Sequence, residues 1–242
     1  MLSILSNRRT IIAEIMDRPD LDPDEHRRAL AGLRRINRVS RTAEQVLAPI
    51  IEMARRRNMK QISLMDVACG GGDVPVGVAI AAAKLGLSID LTLLDRSSTS
   101  VGQAADTAAR AGIRCRTIEA DILQAKDLPA VDVVTNSLFL HHMEEPERVV
   151  AVLKKMGELA RRMGVVSDLR RSRRGLIACW IGCHLLTQSR IVHHDGPVSV
   201  RASWTMPELT CFVARAQLKG ARVESASPWR MLLTWERADD TP

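Results

Sequence analysis

Apolar residues recur with two different rhythms, and the change falls near residue 59. Before it they return every three or four positions. Ile11, Ile12, Ile15 and Met16 form one face; Leu30, Leu33 and Ile36, then Val46, Leu47, Ile50 and Ile51, continue at the same spacing. That period predicts helix through residues 1–58, interrupted by the turn Arg18-Pro-Asp-Leu-Asp-Pro-Asp, with Asp22 and Pro23 restarting the helix. From residue 62 short apolar runs alternate with helical patterns. Strands are predicted over 62–68, 89–95, 114–119, 131–137 and 164–168, and helices over 73–85, 98–111 and 146–161. Such alternation predicts an α/β fold, a mostly parallel sheet with helices on both faces. After the fifth strand it stops. Residues 170–205 form an insertion with a basic start, an apolar helix over 175–186 and a loop over 191–197. Thr205 and Glu208 have the spacing of a capping box, opening a helix that runs to about residue 219 and ends at Gly220. Residues 221–226 and 230–236 complete the set as an antiparallel pair, for seven strands in all. The organisation is a 1–58 helical extension, placed as packing or as a lid, and a 59–242 domain that contains the insertion.

Ligands of a parallel sheet sit beyond the carboxyl ends of its strands, so the residues closing each strand matter most. The first strand breaks at Gly70-Gly71-Gly72 and runs into a helix. Glycines let the backbone approach a ligand, and the helix start offers free N–H groups. A dinucleotide fingerprint is incomplete here, because Pro75 stands where the third glycine belongs. A triphosphate loop would need Gly-Lys, and the stretch has none. What it has is an acid inside the strand end, Asp66, four residues before Gly70.

Asp66-x-Ala68-x-Gly70-x-Gly72 resembles the acidic-x-Gly-x-Gly-x-Gly turn of class I S-adenosylmethionine-dependent methyltransferases, with Ala68 in place of the first glycine. The resemblance covers about residues 60–238 and implies a Rossmann-like fold with S-adenosylmethionine as cofactor. It implies that Asp66, Ala68, Cys69, Gly70 and Gly72 cradle the cofactor. Asp95, followed by Arg96 and Ser97, would hold the ribose hydroxyls, since a carboxylate accepts from two vicinal O–H groups. Asp121 and Ile122 would meet the adenine. Asn136-Ser137-Leu138-Phe139-Leu140-His141-His142, and the Ser203-Trp-Thr-Met-Pro-Glu-Leu start of the helix after strand five, resemble the ubiquinone and menaquinone branch of small-molecule enzymes. A single Asp after a strand is ordinarily a helix cap; three acids at spaced strand ends favour the ligand reading.

Methylating a hydroxyl needs a positioned acceptor and a base for its proton. His titrates in the right range. His141 and His142, after the fourth strand, and His193, in the insertion, are the candidate bases, and Asp168, closing strand five, is a further catalytic candidate. Leu176, Ile177, Trp180, Ile181, Leu185 and Leu186 make the inserted helix strongly apolar, which suits the wall of a pocket for an apolar ring. Arg38, Trp180, His184, His194 and Trp204 are the candidate acceptor contacts. The expected reaction is O-methylation of a phenol, quinol or polyketide-type ring. The alternatives are methylation of RNA or another nucleic acid and C-methylation of a quinone precursor.

Charge enters through the rival reading. The 242-residue chain carries a net charge of +7, concentrated in arginine clusters, which permits a nucleic-acid partner. The Asn-Pro-Pro-aromatic motif of base amino-methylation is absent after strand four, and no Cys lies near residues 131–145. With no Tyr and two Phe, stacking platforms are scarce, so a nucleic acid is not the expected partner. Five scattered cysteines argue against a disulfide framework and a structural zinc and for a reducing compartment, taken as cytoplasmic; no metal is expected. Leu2, Ile4 and Leu5 lack the apolar core of a signal peptide. The apolar stretch 176–186 is too short to span a bilayer, although peripheral membrane contact through it is an option, as is a homodimer.

Overall fold

The computed structural model describes residues 8–18, 20–227 and 229–237. Leu2, Ile4 and Leu5 lie outside them. At the centre is a seven-stranded sheet: β1 (Gln61–Val67), β2 (Ser88–Asp95), β3 (Cys115–Glu119), β4 (Val131–Ser137), β5 (Ala160–Leu169), β6 (Arg222–Ser227) and β7 (Arg230–Glu236). Their order is β3-β2-β1-β4-β5-β7-β6, parallel except for β7, which runs antiparallel to both β5 and β6. The order reverses between β1 and β4, so the carboxyl ends of those strands open the crevice where ligands of such sheets bind. Leu64, Met65 and Val67 of β1 are fully buried, as expected for a central strand covered on both faces.

The helices are α1 (Pro23–Val39), α2 (Thr42–Arg56), α3 (Asp73–Lys84), α4 (Ser98–Arg110), α5 (Pro146–Leu159), α6 (Arg173–Leu186), α7 (Arg190–Ala202) and α8 (Met206–Arg215). One apolar core gathers Val46, Ile50, Val78, Ala82 and Leu91 on the α2–α3 side; a second gathers Val149, Leu153, Met156, Leu209 and Phe212 on the α5–α8 side. Asp22 caps α1 through Asp24 and Glu25 N–H, and Thr205 with Glu208 closes a capping box on α8.

Two stretches depart from the periodic reading. Residues 8–14 are not helical; only Ile15–Asp17 forms a short 3₁₀ turn. The segment instead lies across the sheet's ligand edge. Arg9 Nε donates to Ala202 O at 2.7 Å, its guanidinium stands 3.5 Å from the Trp204 ring, and Asp195 accepts from Ile15 and Met16 N–H. Ile11 and Ile12 stay exposed, at 42% and 45%. The stretch 191–197 is not a loop but the first part of α7. Gly196 and Pro197 sit inside that helix, where Pro removes one backbone bond and Gly permits close packing. A Cβ on Gly196 would stand 2.5 Å from Cys183 Sγ of α6.

Candidate active site

The chain turns sharply after β1. Ala68, Gly70 and Gly72 all have positive φ, of 55°, 52° and 76°. For Ala68 that conformation costs about 1–2 kcal/mol, which explains why glycine is the natural occupant. A Cβ on Gly72 would lie 2.9 Å from Ala104 Cα, whereas one on Gly70 or Gly71 would point into open space. The backbone is therefore bare where it borders a cavity of about 540 Å³. Asp66, Ala68, Cys69, Gly70, Asp73 and Ser137 line this cavity from the sheet side, and Leu30, Leu33, Arg34 and Asn37 of α1 cover it.

Asp66 is buried and accepts from Thr135 Oγ1 at 2.5 Å. Burial pushes its pKa up to about 7 against the lowering effect of that bond, and the charges of Asp73 and Asp95 add to the rise. Asp95 closes β2 and takes Gly70 N–H on one oxygen and Ser97 N–H on the other, each at 3.0 Å. It ties the glycine turn to the second strand and keeps lone pairs on both oxygens. Ser97 caps α4 through Ser100 N–H, and Arg96 is exposed. Asp121 accepts from Leu123 N–H at 2.8 Å, with Ile122 buried beside it. Asn136 is fully buried. Its Nδ2 donates to Val67 O at 2.7 Å, while its Oδ1 and the Ser137 Oγ have no protein partner among the described residues. Buried polar atoms without partners call for a ligand or water. Asp66, the bare glycine turn and Ser137 line the cavity; Asp95, Asp121 and Asn136 do not line it, although Asp95 bonds Gly70 N–H and Asn136 bonds Val67 O next to it. The lining set fits a polar, partly cationic nucleoside such as S-adenosylmethionine.

A second cavity, of about 170 Å³, adjoins the first; Leu33, Asn37 and Leu138 belong to both walls. It is bounded by Glu14 and Met16 of the N-terminal segment, by Ala178, Cys179, Gly182, Cys183 and Leu186 of α6, and by His141, His142, Leu169, Trp229 and Arg230. His141 is buried in the 3₁₀ turn after β4. Its Nδ1 lies 2.6 Å from Asp168 Oδ1, and its Nε2 lies 3.9 Å from Glu14 Oε1. Asp168 also accepts from Leu169 and His141 backbone N–H, so it acts as an acceptor and places the proton on Nδ1. Burial would lower the His141 pKa, but the Asp168 charge and hydrogen bond, with Glu14 behind, raise it. Burial would likewise raise Asp168, and His141 holds it down. His142 lines the same cavity, where desolvation and then the neighbouring His141 push its pKa down. Glu14, His141 and His142 offer donor atoms within 4.8 Å of one another.

The remaining candidates from the sequence are elsewhere. Trp180 and His184 stack together on the outer face of α6, with Trp180 53% exposed. Ile177, Ile181 and Leu185 share that outer face, so α6 lines the cavity with its small residues instead of its large ones. His193 Nε2 meets Thr187 O at 2.8 Å and stacks on His184; His194 is exposed beside Asp195. Arg38 is exposed at the end of α1. Trp204 is core: its Nε1 donates to Leu140 O at 2.9 Å and its ring meets Phe212 edge-on. None of these six lines either cavity. Glu14, Asn37 and Arg230 take their place. Asn37 stands next to the candidate Arg38 in α1; Glu14 and Arg230 had no local signal.

Residues 64–164 match the family model described as a methyltransferase domain. A sequence search of curated proteins finds no match. Among solved structures the fold is similar to magnesium protoporphyrin IX methyltransferase (ChlM) from Synechocystis PCC 6803 with bound SAM, at 15% identity over 93% of this chain and 88% of that one, TM-score 0.57. It is similar to the plantazolicin methyltransferase BpumL in complex with SAH, at 16% identity over 90% and 91%, TM-score 0.66. It is also similar to the mitomycin 7-O-methyltransferase MmcR, at 20% identity over 72% of this chain and 49% of that one, TM-score 0.53. At these identities the likenesses speak for the fold. The family match falls on the segment that holds the glycine turn, residues 64–164, and the seven-stranded sheet has the Rossmann-like fold of these methyltransferase structures.

Proposed function

We propose that the protein O-methylates a small, single-ring aromatic acceptor such as a phenol or quinol. The observation that carries this reading is the His141–Asp168 pair at the wall of an apolar cavity adjoining the glycine-turn cavity. The volume of about 170 Å³ is close to the ~150 Å³ cavity that takes up benzene in another protein, so a single ring fits and a tetrapyrrole does not. When bound, S-adenosylmethionine supplies an electrophilic methyl group. Asp66, Asp95 and Asp121, with the bare turn, are the residues that would hold it. Leu138 and Asn37 stand at the junction of the two cavities and would set the approach of the acceptor.

His141 is the proposed base. With its Nδ1 proton held by Asp168, the Nε2 lone pair is free to take the acceptor hydroxyl proton. The imidazolium so formed is stabilised by Asp168 and by Glu14 near Nε2. Asp168 is a positioning residue, since its oxygens already accept three donors. His142 stays neutral near pH 7 and is the second candidate. The motifs at 136–142 and 203–209 support the small-molecule branch. Among the described residues no helix is long and apolar enough to cross a membrane.

The test is transfer of labelled methyl from S-adenosylmethionine to a panel of phenols, quinols and tRNA. Label in phenols or quinols, lost in His141→Gln with S-adenosylhomocysteine binding intact, is the expected result. Label in tRNA alone would overturn the reading.

A further inference from the structure

Arg230 is the largest fully buried side chain among the described residues, at 1% exposure. Topology puts it there. Because β7 runs antiparallel to β5, its first residue pairs with Leu169 at the carboxyl end of β5, next to Asp168. A return strand thus delivers a cation to the ligand edge of a parallel sheet. Nη2 donates to Asn37 Oδ1 at 2.8 Å, but Nε and Nη1 have no partner among the described residues. Burial depresses the pKa of this guanidinium to about 10, so it remains charged at neutral pH.

The carboxylates whose field reaches Arg230, Asp168 and Asp73, are engaged elsewhere. Asp168 accepts from His141 and Leu169, and Asp73 accepts from Asn37 Nδ2 at 2.9 Å. A buried guanidinium left with unsatisfied N–H groups is strongly unfavourable unless an anion completes it. Arg230 lines the second cavity and not the first. It therefore borders the acceptor side, in a cavity whose other polar walls include His141, His142, Glu14 and Asp195, the last engaged by Ile15 and Met16 N–H.

We infer that the methyl acceptor is a hydroxylated aromatic acid, whose carboxylate is bound by Arg230 while its hydroxyl meets His141. This rests on the second cavity being the acceptor pocket. An anion could also come from the methionine end of the cofactor, and the experiment separates the two sources. Binding of 2,4-dihydroxybenzoate and of its uncharged isostere 2,4-dihydroxybenzamide is measured by calorimetry on the full chain saturated with S-adenosylhomocysteine. The wild type should bind the acid about tenfold or more tighter than the amide. Arg230→Met should abolish that preference and Arg230→Lys should keep part of it, with S-adenosylhomocysteine affinity unchanged in both. Equal binding of acid and amide by the wild type, or no saturable binding of the acid at millimolar concentration, overturns the inference. So does a loss of S-adenosylhomocysteine affinity in both variants, which would assign the guanidinium to the cofactor. If Arg230→Met does not fold, the wild-type comparison and Arg230→Lys still decide. Failure of the O-methylation reading shows differently, as no methyl transfer to any phenol.

Discussion

His141 Nδ1 and Asp168 Oδ1 are 2.6 Å apart, both buried, across the gap between the turn after β4 and the end of β5. Asp168 raises the His141 pKa above its ordinary value. A base must be neutral to work, so activity should rise with pH through that raised pKa. Replacing Asp168 by Asn removes the raising charge and leaves desolvation to act. The acid limb of the rate profile should then move to lower pH, while kcat falls by about 10²–10⁴-fold through loss of orientation. A pH–rate profile of Asp168→Asn checks both; a fall in kcat with the limb unmoved would mean that Asp168 serves only to hold the fold.

Asp95 holds Gly70 and Ser97 N–H, and under the proposed function it also accepts from the ribose hydroxyls. Asp95→Ala should weaken S-adenosylhomocysteine binding by about 1–3 kcal/mol. Calorimetry reads this directly, and unchanged affinity would remove Asp95 from the cofactor site.

What was legible in the sequence was set by neighbours in the chain. Gly70 and Gly72 need positive φ whatever packs around them, and Asp66 and Asp95 close strands whose apolar runs are continuous. Periodicity identifies a helix but not which face turns inward. The stripe of Ile177, Trp180, Ile181 and Leu185 reads as a pocket wall, yet the pocket takes the face of Cys179, Gly182 and Cys183, where α7 approaches closely. Arg230 was invisible for a topological reason, since only the reversal of β7 brings it to Asp168. Glu14 was hidden by an apolar pattern that read as helix and folds as an extended strap.

Asp66 makes stability depend on pH. Its folded pKa of about 7 lies above the unfolded value of 3.8, so its contribution is fully present below pH 3.8 and is lost as pH rises through 7. The loss across that window is of the order of 2–4 kcal/mol. Thermal melts of Asp66→Asn should therefore be higher than wild type at pH 8 and converge with it toward pH 4. A constant difference at both pH values would show that Asp66 is ionised in the fold. The cationic end of the cofactor should favour the ionised form, so binding at pH 6 should release a proton that Asp66→Asn does not release.

Gly196 is required by the contact between α6 and α7, where a Cβ would meet Cys183 Sγ at 2.5 Å and Cys179 Sγ at 3.2 Å. Both thiols belong to the wall of the second cavity. Gly196→Ala should lower stability by about 1–3 kcal/mol, as overpacking does, despite the better helix propensity of Ala. Separation of the two helices to relieve the clash widens the cavity, so acceptor KM should rise while S-adenosylhomocysteine affinity holds. Cys183→Ala removes the closer sulfur. In the double variant it should restore part of the lost stability, and the non-additivity is the measure of the contact. Simple additivity of the two substitutions in denaturant melts would show that the helix pair is not closed at this point.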